Sequence, residues 1–284
     1  MRKEIKLFLI VLLFSSMLSF LLASYFSFPK GNVAIIPIEG EIGVGSDIFS
    51  SSITSDNVIS SIKTAEFNPN IKVVVFKINS GGGSAVASQE IVSAIKEMNK
   101  TTIAWIRDVG ASGAYWIASA TDYIVCNNLS ITGSVGVTMS YLEFSKLFDK
   151  YGVTLVELAT PEHKEIASPY KNLTEYEKIS LQKMINQTYE FLVEDIAKNR
   201  NMSVEELKSK SDGGMIFLGI DAKKRGLVDY LGGENEVKEL IKEKTNLTEV
   251  RFVVIGKKSI IESLASQLLS KLNIFTKQSV FLRT

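Results

Sequence analysis

The chain has 284 residues, 45% of them hydrophobic, with 32 Lys and Arg against 31 Asp and Glu. That length allows one large domain or two small ones, and a formal net charge of +1 gives no reason to expect a nucleic-acid partner, because no basic excess exists to neutralise phosphates. A single cysteine, Cys126, and a single histidine, His163, exclude an internal disulfide framework, a Cys-x-x-Cys redox motif and a structural zinc site, and no cofactor is implied.

The run from Leu7 to Phe28 carries no charge and follows Arg2, Lys3 and Lys6. As a helix it would be about 33 Å long, enough to cross a bilayer core of ~30 Å. The basic flank predicts a cytoplasmic N-terminus and an extracytoplasmic chain after about residue 30. A cleaved signal peptide usually has an apolar region of only ~7–15 residues. Here the run is longer and the small residues Ala23 and Ser24 lie inside it, which favours a single uncleaved anchor in the cell membrane over residues 1–30.

Next comes a short apolar strand, Val33 to Ile38, then a Gly- and Ser-rich loop from Glu41 to Ser55 and a helix from Asp56 to Ala65. Ile71 to Ile78 is β-branched and apolar, as expected of a strand covered on both faces. After the glycines 81–83 a helix is expected from Ala85 to Asn99, then a strand from Thr102 to Ile106 and a helix from Ala111 to Ala120. Tyr123 to Cys126 and Ser134 to Val137 read as short strands, Leu142 to Tyr151 as a helix, and Val153 to Leu158 as another strand. This alternation predicts an α/β domain with parallel strands and flanking helices over residues 31–250. Thr174 and Glu177 form a capping box for a long helix whose apolar stripe is Ile179, Met184, Ile185, Tyr189, Leu192 and Ile196. Helical stretches follow from Ser203, and from Asp221 as N-cap to Gly226. Residues 251–284 are expected to hold a strand, Arg251 to Ile255, and an amphipathic tail, Ile260 to Phe275.

Three segments carry candidate chemistry, each near the end of a strand, where α/β proteins gather their sites. Asn79-Ser-Gly-Gly-Gly-Ser84 joins strand to helix; its glycines allow positive φ and let backbone N–H groups face a bound carbonyl. A phosphate loop would need the Lys of GxxxxGK[ST], which is missing. In Asp108-Val-Gly-Ala-Ser-Gly-Ala-Tyr-Trp-Ile-Ala118, Ser112 sits between small residues at a strand-to-helix junction, where it is either a nucleophile or an ordinary N-cap. Pro161-Glu-His-Lys-Glu-Ile-Ala-Ser-Pro169 offers two bases for such a serine, His163 and Lys164, and spacing does not choose between them. A lysine base must be neutral, so its site must lower the ordinary value of about 10.4 toward about 7 by burial.

Together these segments resemble the signal peptide peptidase A family, membrane-anchored serine peptidases with the ClpP/crotonase-like fold. The resemblance runs from about Val33 to Gly232. It rests on Ile78-Asn-Ser-Gly-Gly-Gly83, Ala111-Ser-Gly-Ala-Tyr-Trp-Ile117, Thr132-Gly-Ser-Val-Gly136, His163-Lys-Glu-Ile-Ala-Ser-Pro169 and Ala222 to Asp229. It implies Ser112 as nucleophile, Lys164 as general base and Ser134 as the hydrogen-bond partner of the lysine amine. The backbone N–H groups of Gly113 and of Gly82 or Gly83 would be the oxyanion donors. It further implies a homo-oligomer that degrades released signal peptides or other membrane-associated peptides. This chain has Gly81 where the family usually has proline, and Pro161-Glu162 where a glycine often precedes the lysine. Rival readings on the same fold are a membrane-protein peptidase of the stomatin-operon type and a crotonase-fold acyl-CoA enzyme, the latter disfavoured by export.

Overall fold

The structure, a computed structural model, describes residues 8, 10–19, 31–44 and 53–256. Residues 10–19 are helical. Half of the expected span Leu7–Phe28 and all of the tail Ile260–Phe275 lie outside the described residues. Among the described residues no helix is long and apolar enough to cross a membrane.

One mixed sheet organises the domain. Its main path, in spatial order, is β10 (Phe252–Val254), β1 (Val33–Glu39), β4 (Val73–Ser80), β5 (Thr101–Ala111), β6 (Tyr123–Cys126) and β9 (Tyr230–Leu231), all parallel. The upper half of β5 also pairs with β7 (Ile131–Gly133) in parallel, and β7 pairs antiparallel with β8 (Ile216–Leu218). A separate parallel pair joins β2 (Ile42–Gly43) to β3 (Ile53–Thr54). The helices are α1 (Ser55–Phe67), α2 (Ala85–Lys96), α3 (Gly113–Ser119), α4 (Ser145–Tyr151), α5 (Glu175–Asn199), α6 (Val204–Ser211), α7 (Gly219–Lys224) and α8 (Glu234–Lys244).

Alternation along the strands explains the layers, because successive side chains leave opposite faces of a sheet. Ala34, Ile36, Val74, Phe76, Ala104, Ile106, Ile124 and Cys126 face α1, α2, α3 and the C-terminal half of α5. Val33, Val73, Val75, Ile103, Trp105 and Val125 face Val237, Leu240 and Ile241 of α8. Both faces are therefore covered, as the near-continuous apolar run before Asn79 foretold. β10 pairs with β1 in register Val33↔Phe252, so the strand expected at Arg251 to Ile255 is part of this sheet.

Four local expectations need correction. The strand expected at Ser134–Val137 forms earlier, at Ile131–Gly133, because positive φ at Gly133 (88°) and Ser134 (52°) turns the backbone out of the extended region. Val153 to Leu158 forms no strand; Leu158 is 94% exposed, and without a neighbouring strand an extended segment leaves its backbone groups to water. The long helix α5 has its capping box, Thr174 with Glu177, but its core contacts fall in its C-terminal half: Leu192, Val193, Ile196 and Ala197 are buried and Tyr189 packs against them partly buried. Ile179 and Met184 are exposed, since a helix of 25 residues, about 37 Å long, projects past the sheet. The short helix α7 starts at Gly219 with Leu218 as N-cap, two residues before Asp221.

Candidate functional site

The C-terminal ends of β4, β5 and β7 converge on Ser112. β5 ends at Ala111 and α3 starts at Gly113, leaving Ser112 alone in the turn with φ 55° and ψ −125°. A non-glycine residue holds such a conformation at a cost of roughly 1–3 kcal/mol, and only where its surroundings dictate it. Two backbone bonds do so: the Ser112 N–H donates to the Gly133 carbonyl (2.9 Å) and the Trp116 N–H donates to the Ser112 carbonyl (3.0 Å). The Ser112 hydroxyl makes no capping bond to the helix. An ordinary N-cap serine would spend its oxygen on the backbone; this one does not.

The helix behind Ser112 is pinned. All seven residues of α3 are buried. The Tyr115 hydroxyl donates to the Leu227 carbonyl (2.8 Å), and burial pushes its phenol well above the usual range, so it stays a donor. The Trp116 indole N–H donates to Asp195 of α5 (2.8 Å). The Leu227 loop is held in turn by Asp229, which pairs with Arg200 (2.6 Å) and accepts the Ile124 N–H (2.8 Å). The Tyr-Trp of one sequence segment and the Ala222-to-Asp229 segment thus form one support.

The glycine loop lies against this turn. A Cβ on Gly82 would meet the Gly113 nitrogen at 2.8 Å and the Ser112 Cβ at 3.0 Å, and one on Gly113 would meet the Gly83 nitrogen at 3.5 Å. Glycine is therefore required by close approach as well as by φ values of 102° at Gly82 and 152° at Gly83. The Gly82 N–H donates to the Ser80 hydroxyl (3.1 Å). The Gly83 and Gly113 N–H groups have no acceptor among the described residues. Gly83 also bridges Ile42, whose N–H donates to the Gly82 carbonyl (3.0 Å) while its carbonyl accepts the Ser84 N–H (2.8 Å). Gly81 is open, with nothing within 4 Å of an added Cβ.

Ser134 is brought beside Ser112 by register. Ala111 pairs with Gly133, so the two serines are the next residues on adjacent parallel strands. The Ser134 N–H donates to the Met215 carbonyl (2.8 Å), and the fully buried Thr132 hydroxyl donates to the Gly110 carbonyl (2.7 Å). No hydrogen bond of the Ser134 hydroxyl is formed among the described residues.

Lys164 is not bonded to this group among the described residues. It lies on an exposed turn between α4 and α5, its N–H donating to the Pro161 carbonyl (3.0 Å). Its side chain makes no hydrogen bond or ion pair with Ser112, Ser134 or any other described residue. Neighbouring His163 packs on the Tyr176 ring (4.9 Å between centroids) and lies 3.7 Å from Glu177. The segment carrying both is apolar at its surface: Leu142, Tyr151, Val156 and Leu158 are all exposed. The structure therefore brings Ser112, Ser134, Gly82, Gly83 and Gly113 together, and no hydrogen bond joins Lys164 to them among the described residues.

Sequence reasoning passed over Asn79, Ser80 and Thr132. The Asn79 side-chain oxygen accepts the Val109 N–H (3.1 Å) where the β4–β5 register shifts. For Asn79 and Ser80 the signal was polarity at the last two positions of an otherwise apolar strand; Thr132, in the middle of β7, carried none. A polar cavity of about 500 Å³ lies at the opposite end of β5, lined by Lys100, Asp122, Asn199 and Arg200, away from Ser112. Among the described residues no cluster of His, Cys, Asp or Glu could hold a metal ion.

The description of peptidase family S49 matches residues 94–248, more than half the chain; the matched stretch contains Ser112, Ser134 and Lys164 and begins after the glycine loop. A protein of Methanocaldococcus jannaschii named, provisionally, as a protease is 34% identical over 193 residues, which are 67% of this chain and 62% of that protein. The chloroplastic serine protease SPPA of Arabidopsis thaliana is 30% identical over 69% of this chain and 29% of its own length. Protease 4 of Haemophilus influenzae is 30% identical over 72% of this chain and 33% of its own. The chain thus spans about three fifths of the first of these relatives and about a third of the other two.

Proposed function

The chain belongs to peptidase family S49, and on that premise we propose that it is a serine endopeptidase with Ser112 as nucleophile, Lys164 as general base and Ser134 as the partner of the lysine amine. The observation that carries the reading is the Ser112 hydroxyl, with no cap bond on a strained strand-to-helix turn, beside Gly113 and Gly83, whose N–H groups have no acceptor among the described residues. That combination is what acyl transfer needs: an uncommitted oxygen on a half-buried serine, and fixed donors where negative charge develops.

The reaction runs as follows. The neutral Lys164 amine takes the Ser112 proton, and the serine oxygen attacks the peptide carbonyl. The Gly113 and Gly83 N–H groups hold the tetrahedral oxyanion. The lysine ammonium then returns its proton to the departing amine, leaving an acyl-enzyme. A water attacks the ester, giving its proton to Lys164, and Ser112 recovers its proton as the acid leaves. Gly82 has no part as a donor because its N–H is already bound to Ser80.

Lys164 reaches Ser112 only if the exposed segment from about 138 to 173 is covered, which also supplies the dry surroundings a neutral lysine needs. Association of several copies of the chain through the apolar side chains of that segment, Leu142, Tyr151, Val156 and Leu158, would do this. An anchor at residues 7–28 would hold the domain on the outer side of the cell membrane, where signal peptides and other membrane-associated peptides are the substrates.

Reaction with a fluorophosphonate probe tests the reading. Labelling of the wild-type chain that disappears in Ser112→Ala supports it. An unlabelled, folded wild-type chain, or a Ser112→Ala variant labelled as strongly as wild type, ends it.

A further inference from the structure

Resting on the peptidase reading, we infer that Ser80 is a positioning residue that selects which glycine serves the oxyanion. Ser80 is the last residue of β4 and is 3% exposed. Its hydroxyl accepts the Gly82 N–H at 3.1 Å and lies 3.5 Å from the Gly82 carbonyl. Both polar atoms of that peptide segment are therefore engaged: the N–H by Ser80, and the carbonyl by the Ile42 N–H at 3.0 Å.

Three glycines in a row would otherwise be an unruly scaffold, since each populates both signs of φ. An oxyanion site draws its advantage from donors that are already in place. Gly81 meets nothing, whereas Gly83 is wedged against Ile42. Between them, the Ser80 hydroxyl ties Gly82 at a φ of 102° and so fixes the peptide that carries the next N–H, that of Gly83, whose nitrogen lies 3.5 Å from where a Cβ on Gly113 would sit; neither the Gly83 nor the Gly113 N–H has an acceptor among the described residues. Ser80 is itself fixed by the sheet, through its register pair Gly110 on β5, two residues before Ser112. One hydroxyl thus ties the geometry of the donor loop to the strand that carries the nucleophile.

The test uses the full chain in detergent with a fluorogenic peptide and, as a tetrahedral mimic, a peptide boronic acid. For Ser80→Ala, kcat is expected to fall roughly 10- to 100-fold, less than the ~10²–10³ for outright loss of an oxyanion donor. KM should stay within about twofold of wild type, boronate affinity should weaken by a factor similar to kcat, and Ser80→Thr, which keeps the oxygen, should recover most of both. A Ser80→Ala variant with wild-type kcat and boronate affinity overturns the inference. So does a loss that only tracks a smaller folded fraction, or a folded Ser80→Thr variant as impaired as Ser80→Ala. An active, probe-labelled wild type with an indifferent Ser80 sinks this inference alone; a wild type inert to peptide and fluorophosphonate sinks the peptidase reading and this inference with it.

Discussion

Ser112 and Ser134 stand next to each other at the ends of adjacent parallel strands, each one residue past the register pair Ala111↔Gly133, and both hold a positive φ, 55° and 52°. The Ser112 N–H donates to Gly133, the residue before Ser134, so the two turns are built on each other. On the proposed mechanism Ser134→Ala should lower kcat by roughly 5- to 150-fold, the equivalent of ~1–3 kcal/mol for one orienting hydrogen bond, with little change in melting temperature. A well-folded Ser134→Ala chain with wild-type kcat would reduce Ser134 to a turn residue.

The base is tested by its neighbour. Lys164→Ala should abolish peptide hydrolysis, and adding Ser112→Ala should make it no worse, because the two act as one unit. His163→Ala should keep most activity, since that ring is occupied with Tyr176 and lies near Glu177. Hydrolysis surviving in Lys164→Ala but lost in His163→Ala reverses the assignment.

The glycines 81, 82 and 83 should respond very differently to alanine. Gly81→Ala places its Cβ in open space and should match wild type in kcat and melting temperature. Gly83→Ala drives its Cβ into the Ile42 carbonyl oxygen and should lose the β2 bridge, activity and several degrees of melting temperature. Equal tolerance at both positions would show that the loop is looser than described.

Tyr115→Phe removes the hydroxyl that donates to the Leu227 carbonyl and leaves that buried acceptor unpaired. The expected cost is ~1–3 kcal/mol of stability, read as a lower melting temperature, with fluorophosphonate labelling of the folded chain unchanged. A neutral effect on melting would mean water replaces the hydroxyl.

Glu177 predicts an acid-dependent term. The Thr174 backbone N–H and the Lys171 ammonium hold its carboxyl at about 2, below the usual 4.5. A group with a depressed folded value stabilises fully above its unfolded value and loses that contribution as pH falls through the folded one. The gap in melting temperature between wild type and Glu177→Ala should therefore be constant above about pH 5 and narrow as pH falls from 4.5 toward 2. A gap independent of pH over that window would assign the effect to helix propensity instead.

Much of this was readable in the chain, for physical reasons that differ by residue. The strand before Asn79, the helix cap at Thr174 and Glu177, and the placing of Ser112 at a strand-to-helix junction all follow from local pattern, which needs no knowledge of the rest of the fold. The end of β7 escaped because two consecutive positive-φ residues, Gly133 and Ser134, end a strand without leaving a proline or a charge to mark it. Val153 to Leu158 has the composition of a strand but no partner, and pairing is a property of topology. The bond that occupies the Gly82 N–H was invisible because it ends on the hydroxyl of Ser80, at 3.1 Å, and depends on how that side chain is turned. Where Lys164 stands relative to Ser112 could not be read from spacing, since the intervening residues make a long excursion off the sheet.

The parallel pairing of β1 with β4 and β10 has a mechanical consequence. The chain enters the sheet at Val33, level with Val73 and Phe252, whereas Ser80, Gly110 and the Ser112 turn lie at the far ends of their strands. Seven residues of β1 at about 3.3 Å each separate the two levels by roughly 23 Å. Anything that tethers this domain by its N-terminus grips it by the blunt end. The Ser112 turn points away like the tip of a short mast, so on the proposed mechanism a substrate of a chain tethered there would have to be lifted about that far clear of the mooring before it met Ser112.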